Sequence, residues 1–451
     1  MKYFFETYGC QMNNAESAAL ALAARESGWQ EAESADSADL VLLNTCSVRE
    51  TAEQRARGRI AHYAALKKKR APGTFALVLA GCMAERLGEK AKNDFSAVDF
   101  VMGTSARARF PLILSAVARG EKTIVETDEK PEFAFSSVHL DLQEDGRAFC
   151  SFVPIMHGCN NFCSFCIVPY VRGREVSRDP ESILSEIRLV GERGVREITL
   201  LGQNVNSYSW ESSSRKLDFP ALLELIAKNI DSSPDTQGVK WIRFLSSHPK
   251  DFSQKAIQVI AENPSLCRHI HLCVQHGSNT VLEAMNRRYT REQYLELVRK
   301  LREAVPDVSL STDILIGFPG ETEDDVDQTL SLMEEVKFLY AYMYHFNPRE
   351  GTHAFSLPER IPTDVKKERL SRVIALQKLH TQERLKERVG QTAKVLIEGI
   401  SKKNADELIS RTERDEMVVI PGNASMIGRF EDVTLSSLRG NTFRARISRR
   451  T

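Results

Sequence analysis

From residue 148 onward, six short apolar runs recur, each trailing into polar or Gly-rich residues: AFCSFVPIMHGC, REITLLGQN, KWIRFLSSHP, RHIHLCVQHGS, VSLSTDILIGFPGE and FLYAYMYHFNP. Helical stretches separate successive runs, and strands joined through helices pair in parallel. Six such units predict an open, partial (β/α)6 TIM-type barrel. In barrels of that kind the chemistry collects at the carboxyl ends of the strands, where the polar tails of these runs fall.

A first series precedes it. KYFFETYG, DLVLLNTC, TFALVLAGC and DFVMG alternate with helical patterns over residues 1–120, which predicts an N-terminal α/β domain built on a parallel sheet. Cys10, Cys46 and Cys82 each sit just past a run, 36 residues apart. All strands of a parallel sheet end on one edge, so three distant cysteines can meet there, where open α/β sheets place ligands. Residues 121–147 are polar and aperiodic and read as a linker. Residues 148–384 hold the barrel, closed by a long charged helix near 362–390. Within 385–451, the short alternating runs AKVLIEG, MVVIPG, RFEDVTLSSL and TFRARI read as a small β-barrel.

At 451 residues the chain exceeds what one core supports, so two or three domains are expected. The start MKYFFETYGCQMNN matches neither a signal nor a transit peptide, and no run reaches membrane-spanning length, so a cytoplasmic protein is expected. Nine cysteines in a reducing compartment point to metal or redox work rather than disulfides. Net charge is zero, yet residues 383–451 carry 14 Lys and Arg against 10 Asp and Glu. RARGRIAHYAALKKKR (55–70) is also basic. Both suggest a polyanionic partner, or solvated helix faces.

GCNNFCSFC (158–166) groups Cys159, Cys163 and Cys166 with no fourth ligand at zinc-finger distance. Structural zinc closes with four ligands, and catalytic zinc keeps one position open. An iron–sulfur cluster on three thiolates likewise leaves one iron free. The CxxxCxxC loop after the first barrel strand resembles the radical S-adenosylmethionine (SAM) superfamily. YGCQMN, NTCSVRE, AGCMAE, GCNNFCSFCIVPYVRGRE, LGQNVNSY, SSHPKDF, AMNRRYTREQY and STDILIGFPGET further resemble the radical SAM methylthiotransferases, end to end. YGCQMN and EGISKKNADELISRTERDE are similar to the MiaB type, which acts on isopentenylated adenosine beside the tRNA anticodon.

The resemblance implies two 4Fe-4S clusters, an auxiliary one on Cys10, Cys46 and Cys82 and a SAM-binding one on Cys159, Cys163 and Cys166. It implies two SAM, one donating a methyl group and one yielding a 5′-deoxyadenosyl radical, and a C-terminal TRAM barrel binding the tRNA anticodon stem-loop. A flavodoxin-like or ferredoxin-like electron donor and a monomer are also implied. A family branch acting on a ribosomal-protein side chain is the alternative; a zinc-dependent RNA-binding protein is a third reading. No side chain can deprotonate an adenine carbon–hydrogen bond, so cofactors must carry the chemistry.

SAM contacts are expected from Phe165, which lies between two cluster cysteines, and from Gln203, Ser247, Gln275, Asp313 and Phe346 at or near the strand ends. RNA contacts are expected from Lys402, Lys403, Arg444, Arg446, Arg449 and Arg450. Arg172, Arg174 and Arg178 could meet phosphates or acidic side chains. Cys150 and Cys267 read as core. Cys273 and His276 stand where the family has proline and serine, and Asn347 and Glu350 also depart from its pattern, so the SAM pocket is expected to differ locally.

Overall fold

The computed structural model describes residues 1–47, 50–121, 125–126, 149–231, 238–358 and 360–448. Its backbone forms two compact units. Among the described residues, the first holds 1–126, 156–162 and 166–178, and the second holds 149–155, 163–165 and 179–448.

In the first unit, strands Lys2–Tyr8, Leu40–Thr45, Ala76–Gly81 and Phe100–Met102 lie side by side in parallel. LVLLNT and ALVLAG are buried along their whole length, as central strands covered on both faces must be. Alternation then divides each strand between two cores. Leu40, Leu42, Val78 and Ala80 pack with helices Gln11–Glu26 and Phe110–Ala118, whereas Val41, Leu43, Leu77 and Leu79 pack with helices Glu50–Lys68 and Cys82–Leu87. Val125–Glu126, within the stretch read as a linker, instead pairs in parallel with Val101–Met102 and extends this sheet. Most of 121–147 lies outside the described residues.

In the second unit, strands Cys150–Pro154, Glu197–Leu201 and Trp241–Phe244 form one parallel triplet, and His269–His271, Ser309–Ile316 and Tyr340–His345 form another. Single parallel bridges, Ile242 to Leu266 and Ser247 to Leu272, join the two triplets. The six expected runs thus become six consecutive parallel strands. A hairpin that the sequence reading missed, Ser209–Glu211 with Lys216–Asp218, follows the second strand. Helix Thr363–Lys386 covers the last strand; its Gln377 and Thr381 side chains donate to the Phe338 and Leu339 carbonyls at 2.9 and 2.7 Å.

The C-terminal strands close into a five-stranded barrel rather than the four runs expected. The added strand is Asn404–Thr412, NADELISRT, whose inward residues Leu408, Ser410 and Thr412 are mostly polar. Polar inward positions erase the alternation by which a strand is recognised. Arg411 on this strand pairs with Glu197 at the start of the second barrel strand, and also with Glu398 (2.8 Å) and Asp415 (2.7 Å). Arg243 binds Glu197 at 2.9 Å and donates to the Thr412 carbonyl at 2.7 Å. Around this hub Cys267 is buried with Trp241 and Leu396, as expected of a core residue, and the half-buried Cys150 and Phe430 pack against them.

A buried ion pair left with one partner is costly, whereas an exposed pair contributes little. Arg411→Ala is therefore expected to destabilise the second unit by about 3 kcal/mol, and Arg444→Ala, whose pair with Glu407 is half exposed, by under about 1 kcal/mol. Urea unfolding of the two variants checks this ranking.

Candidate cluster and cofactor sites

The parallel register places two of the three N-terminal cysteines side by side. Thr45 pairs with Gly81, so Cys46 and Cys82 follow matched positions on neighbouring strands, and Tyr8 pairs with Thr45 two residues before Cys10. Beneath them lies a polar lock. Asn13 donates to Asn44 Oδ1 at 2.9 Å and to the Thr45 carbonyl at 3.2 Å, while Asn44 donates back to the Asn13 carbonyl at 3.0 Å. The Cys10 thiol donates to Asn13 Oδ1 at 3.2 Å. The lock leaves no room at Gly81, where φ is +87° and an added Cβ would stand 2.4 Å from Asn44 Oδ1 and 2.5 Å from the Thr45 carbonyl oxygen.

Charge at this edge suits a metal cluster held by three thiolates. Burial pushes the Cys82 thiol up to about 12; Arg172 opposes the rise, and Cys46, Glu16 and Cys10 add to it. Each thiolate thus disfavours the next until a cation shares the site. Nearby, the fully buried Glu16 binds Arg172 at 2.6 Å and Arg107 at 2.9 Å. Two guanidiniums against one carboxylate leave one net positive charge beside three sulfurs. The donor set therefore fits an iron–sulfur cluster. It also removes Arg172 from the candidate RNA contacts, because the side chain is buried on Glu16.

In the cysteine-rich loop, the Cys159 N–H donates to the Gly173 carbonyl at 3.1 Å. Gly158, with φ +76°, permits this approach, since a Cβ there would fall 2.0 Å from the Arg174 carbonyl oxygen. The Arg174 guanidinium covers the Phe162 ring at 4.3 Å. Cys163 is buried and accepts a hydrogen bond from Arg287 Nη1 at 3.3 Å. Ser164 is fixed by its N–H to the Met285 carbonyl (3.0 Å) and its hydroxyl to the Ala284 carbonyl (2.8 Å). Phe165 then packs in one apolar cluster with Met285, Phe318 and Phe346, which brings two of the residues expected to contact SAM together.

The strand ends of the second unit are bent. Ser246, Gln275 and Gly317 take φ of +65°, +68° and +78° after the third, fourth and fifth strands. For the two non-glycines this costs roughly 1 kcal/mol or more each and marks positions held by their surroundings. Gln203 Oε1 and the Ser247 hydroxyl are buried without hydrogen-bond partners, as are Asn204 Oδ1 and both amide atoms of Asn206. Such a row of unsatisfied polar atoms fits a polar ligand. Asn204 and Asn206 were missed as site residues, although three amides within four residues of LGQNVNSY were the signal.

Two residues that the sequence singles out are engaged within the protein. His276 is fully buried, its Nε2 lies 3.1 Å from Glu321, and Glu321 binds Arg369 of the long helix at 3.0 Å. Asp313 lies on the fifth strand, as expected, and is held by two neighbours. Its Oδ2 lies 3.4 Å from the Cys273 thiol and 3.5 Å from His271 Nε2. Although burial opposes it, hydrogen bonding to His271 holds the Asp313 carboxyl below its usual range. Of the RNA candidates, Arg444 and Arg446 point outward from strand Thr442–Ile447, and Lys402 and Lys403 sit exposed on a hairpin turn. Arg449 and Arg450 lie outside the described residues.

Adding a methyl at Gly81 combines a left-handed backbone with a clash against a buried amide. Gly81→Ala is expected to destabilise the first unit by about 2–4 kcal/mol, read from the urea midpoint, whereas Gly73→Ala, with a positive φ but open space, should cost about 1 kcal/mol.

Comparison with known proteins agrees with this layout. The Radical SAM superfamily matches residues 153–333, Uncharacterized protein family UPF0004 residues 2–103, and the TRAM domain residues 386–447. A tRNA-2-methylthio-N(6)-dimethylallyladenosine synthase of Treponema denticola is 50% identical over 99% of this chain and 100% of its own. Its namesake in Phocaeicola vulgatus is 42% identical over 98% and 95%. Among solved structures, the radical S-adenosylmethionine methyltransferase TsrM of Kitasatospora setae superposes with a TM-score of 0.58 at 16% identity, covering 78% of this chain and 77% of that one. That likeness concerns the fold alone. With both curated relatives aligned almost from end to end, the chain belongs to the radical SAM methylthiotransferase family.

Proposed function

We propose that this protein is the methylthiotransferase that modifies carbon 2 of N6-isopentenyladenosine next to the anticodon of tRNA. The identity of 50% across the full length of a tRNA-2-methylthio-N(6)-dimethylallyladenosine synthase carries this reading. In support, the chain has a thiol-bearing sheet edge, a strand series with orphaned polar atoms at its ends, and a β-barrel with outward cations. Clusters and SAM bound by these residues would supply radical chemistry for hydrogen removal, sulfur and a methyl group.

The residues divide the work. Cys159, Cys163 and Cys166 would hold the SAM-side cluster, and the Arg287 hydrogen bond to Cys163 would stabilise negative charge on that sulfur. Cys10, Cys46 and Cys82 would hold the auxiliary one, compensated by the Arg107–Glu16–Arg172 group. Phe165 and Phe346 offer an apolar wall for the SAM adenine, and Gln203, Ser247 and Gln275 offer polar atoms for its hydrophilic end. Asp313 completes the expected set only if it leaves His271. Domain limits of 1–120, 121–147, 148–384 and 385–451, a flavodoxin-like or ferredoxin-like reductant, a monomeric state and a cytoplasmic location complete the reading. No helix among the described residues is long and apolar enough to cross a membrane.

Transfer RNA from cells lacking the gene should carry isopentenyladenosine without its methylthio group, as read by nucleoside mass spectrometry. Normal methylthio levels, with the modification lost instead from a ribosomal protein, would favour the side-chain alternative. On the RNA side, Lys402→Ala with Lys403→Ala should weaken tRNA binding without changing sequence preference, and should lower the salt slope by about 1–2. An unchanged slope in a salt titration would remove this hairpin from the interface.

A further inference from the structure

The second unit holds a group of side chains of which the proposed reaction claims only Asp313. His271 Nε2, Cys273 Sγ and Asp313 Oδ2 lie 3.2, 3.4 and 3.5 Å from one another, and are the one His, Cys and carboxylate group with metal-ligand proximity among the described residues. Tetrahedral zinc with bonds of about 2.0–2.3 Å separates such donor atoms by about 3.3–3.6 Å. We propose that His271, Cys273 and Asp313 form a mononuclear binding site for a divalent transition metal, zinc by its mixed nitrogen, sulfur and oxygen donors, separate from the six cluster cysteines.

The surroundings favour ligation. A metal-bound imidazole normally donates its second N–H to an outer partner, which fixes its tautomer; here His271 Nδ1 lies 3.0 Å from the Ser311 hydroxyl. Arg287 Nη2 donates to the Cys273 carbonyl at 2.7 Å and holds that backbone, and the Tyr342 ring packs edge-on against the imidazole. His271 is nearly buried, but the Asp313 side chain keeps 30% of its exposure, so an ion can reach the site and a fourth position remains for water. Bound through neutral imidazole, thiolate and carboxylate, Zn2+ would form a complex of zero net charge, the displaced protons passing to solvent. The adjacent Arg287 charge opposes metal binding and is itself turned toward the Cys163 sulfur. Cys273 is indispensable here, since proline in its place offers no donor. The site goes beyond the proposed reaction and does not depend on it, although it takes Asp313 out of the SAM contacts.

The test uses the full chain with both clusters reconstituted anaerobically, given one equivalent of zinc and desalted. Zinc K-edge absorption is expected to show one sulfur near ~2.3 Å and two or three nitrogen or oxygen ligands near ~2.0–2.1 Å. Cys273→Pro and Cys273→Ser should lose the sulfur scatterer and most of the retained zinc, with iron and sulfide per chain unchanged. A shell of three or four sulfurs would place the zinc on the cluster cysteines, and no retained zinc would reduce the group to a hydrogen-bonded triad; either result overturns the proposal. Because the readout is zinc coordination, loss of tRNA modification neither produces nor conceals these outcomes.

Discussion

The parallel register that aligns Tyr8 with Thr45 and Thr45 with Gly81 is the constraint on which the N-terminal chemistry rests. A one-residue slip would turn each buried strand side chain to the opposite face and separate Cys46 from Cys82. Two-sided burial of LVLLNT and ALVLAG makes such a slip costly. The Asn13–Asn44 lock then fixes the chain just past the strand ends, where hydrophobic packing no longer acts. Because those amides are buried, any shift that breaks their mutual bonds leaves donors unsatisfied. Apolar packing sets the sheet, and hydrogen bonding sets the position of the thiols above it.

The second unit divides its two ends between stability and chemistry. At the strand starts, Glu197, Arg243, Arg411 and the surrounding aromatic cluster dock the C-terminal barrel and leave few groups available for substrate. At the strand finishes, left-handed Ser246 and Gln275, the buried amides of 203–206 and the apolar pair Phe165 and Phe346 leave polar atoms unpaired. Polar atoms without partners are unfavourable in a finished core. The unpaired neutral polar atoms of Gln203, Asn204, Asn206 and Ser247 are the physical argument for a ligand there, and it holds independently of any similarity in sequence.

Much of this was legible in the sequence. Ten apolar runs foretold ten principal strands of the two parallel series, because buried parallel strands are written as nearly continuous hydrophobic segments. Cys10, Cys46 and Cys82 stood out by their position past run ends, and Cys159, Cys163 and Cys166 by their close spacing. What could not be read was partner choice across long separations. Arg172 could be read as facing RNA phosphates or an acidic side chain, and the partner is Glu16, 156 residues away. His276 departs from the family pattern, and its partner Glu321 lies 45 residues on. The fifth barrel strand hid because Ser410 and Thr412 occupy inward positions that the pattern reserves for apolar residues, and the His271–Cys273–Asp313 group required two strands to meet in register.

The central claim is that two separate three-cysteine sets each hold a four-iron cluster. Iron and acid-labile sulfide should be counted in the anaerobically reconstituted protein and in two variants, one with Cys10, Cys46 and Cys82 and one with Cys159, Cys163 and Cys166 replaced by alanine. The account predicts about eight irons per chain falling to about four in each variant, with 5′-deoxyadenosine formed from SAM only where Cys159, Cys163 and Cys166 remain. Four irons in the intact protein, unchanged when Cys10, Cys46 and Cys82 are removed, would contradict it.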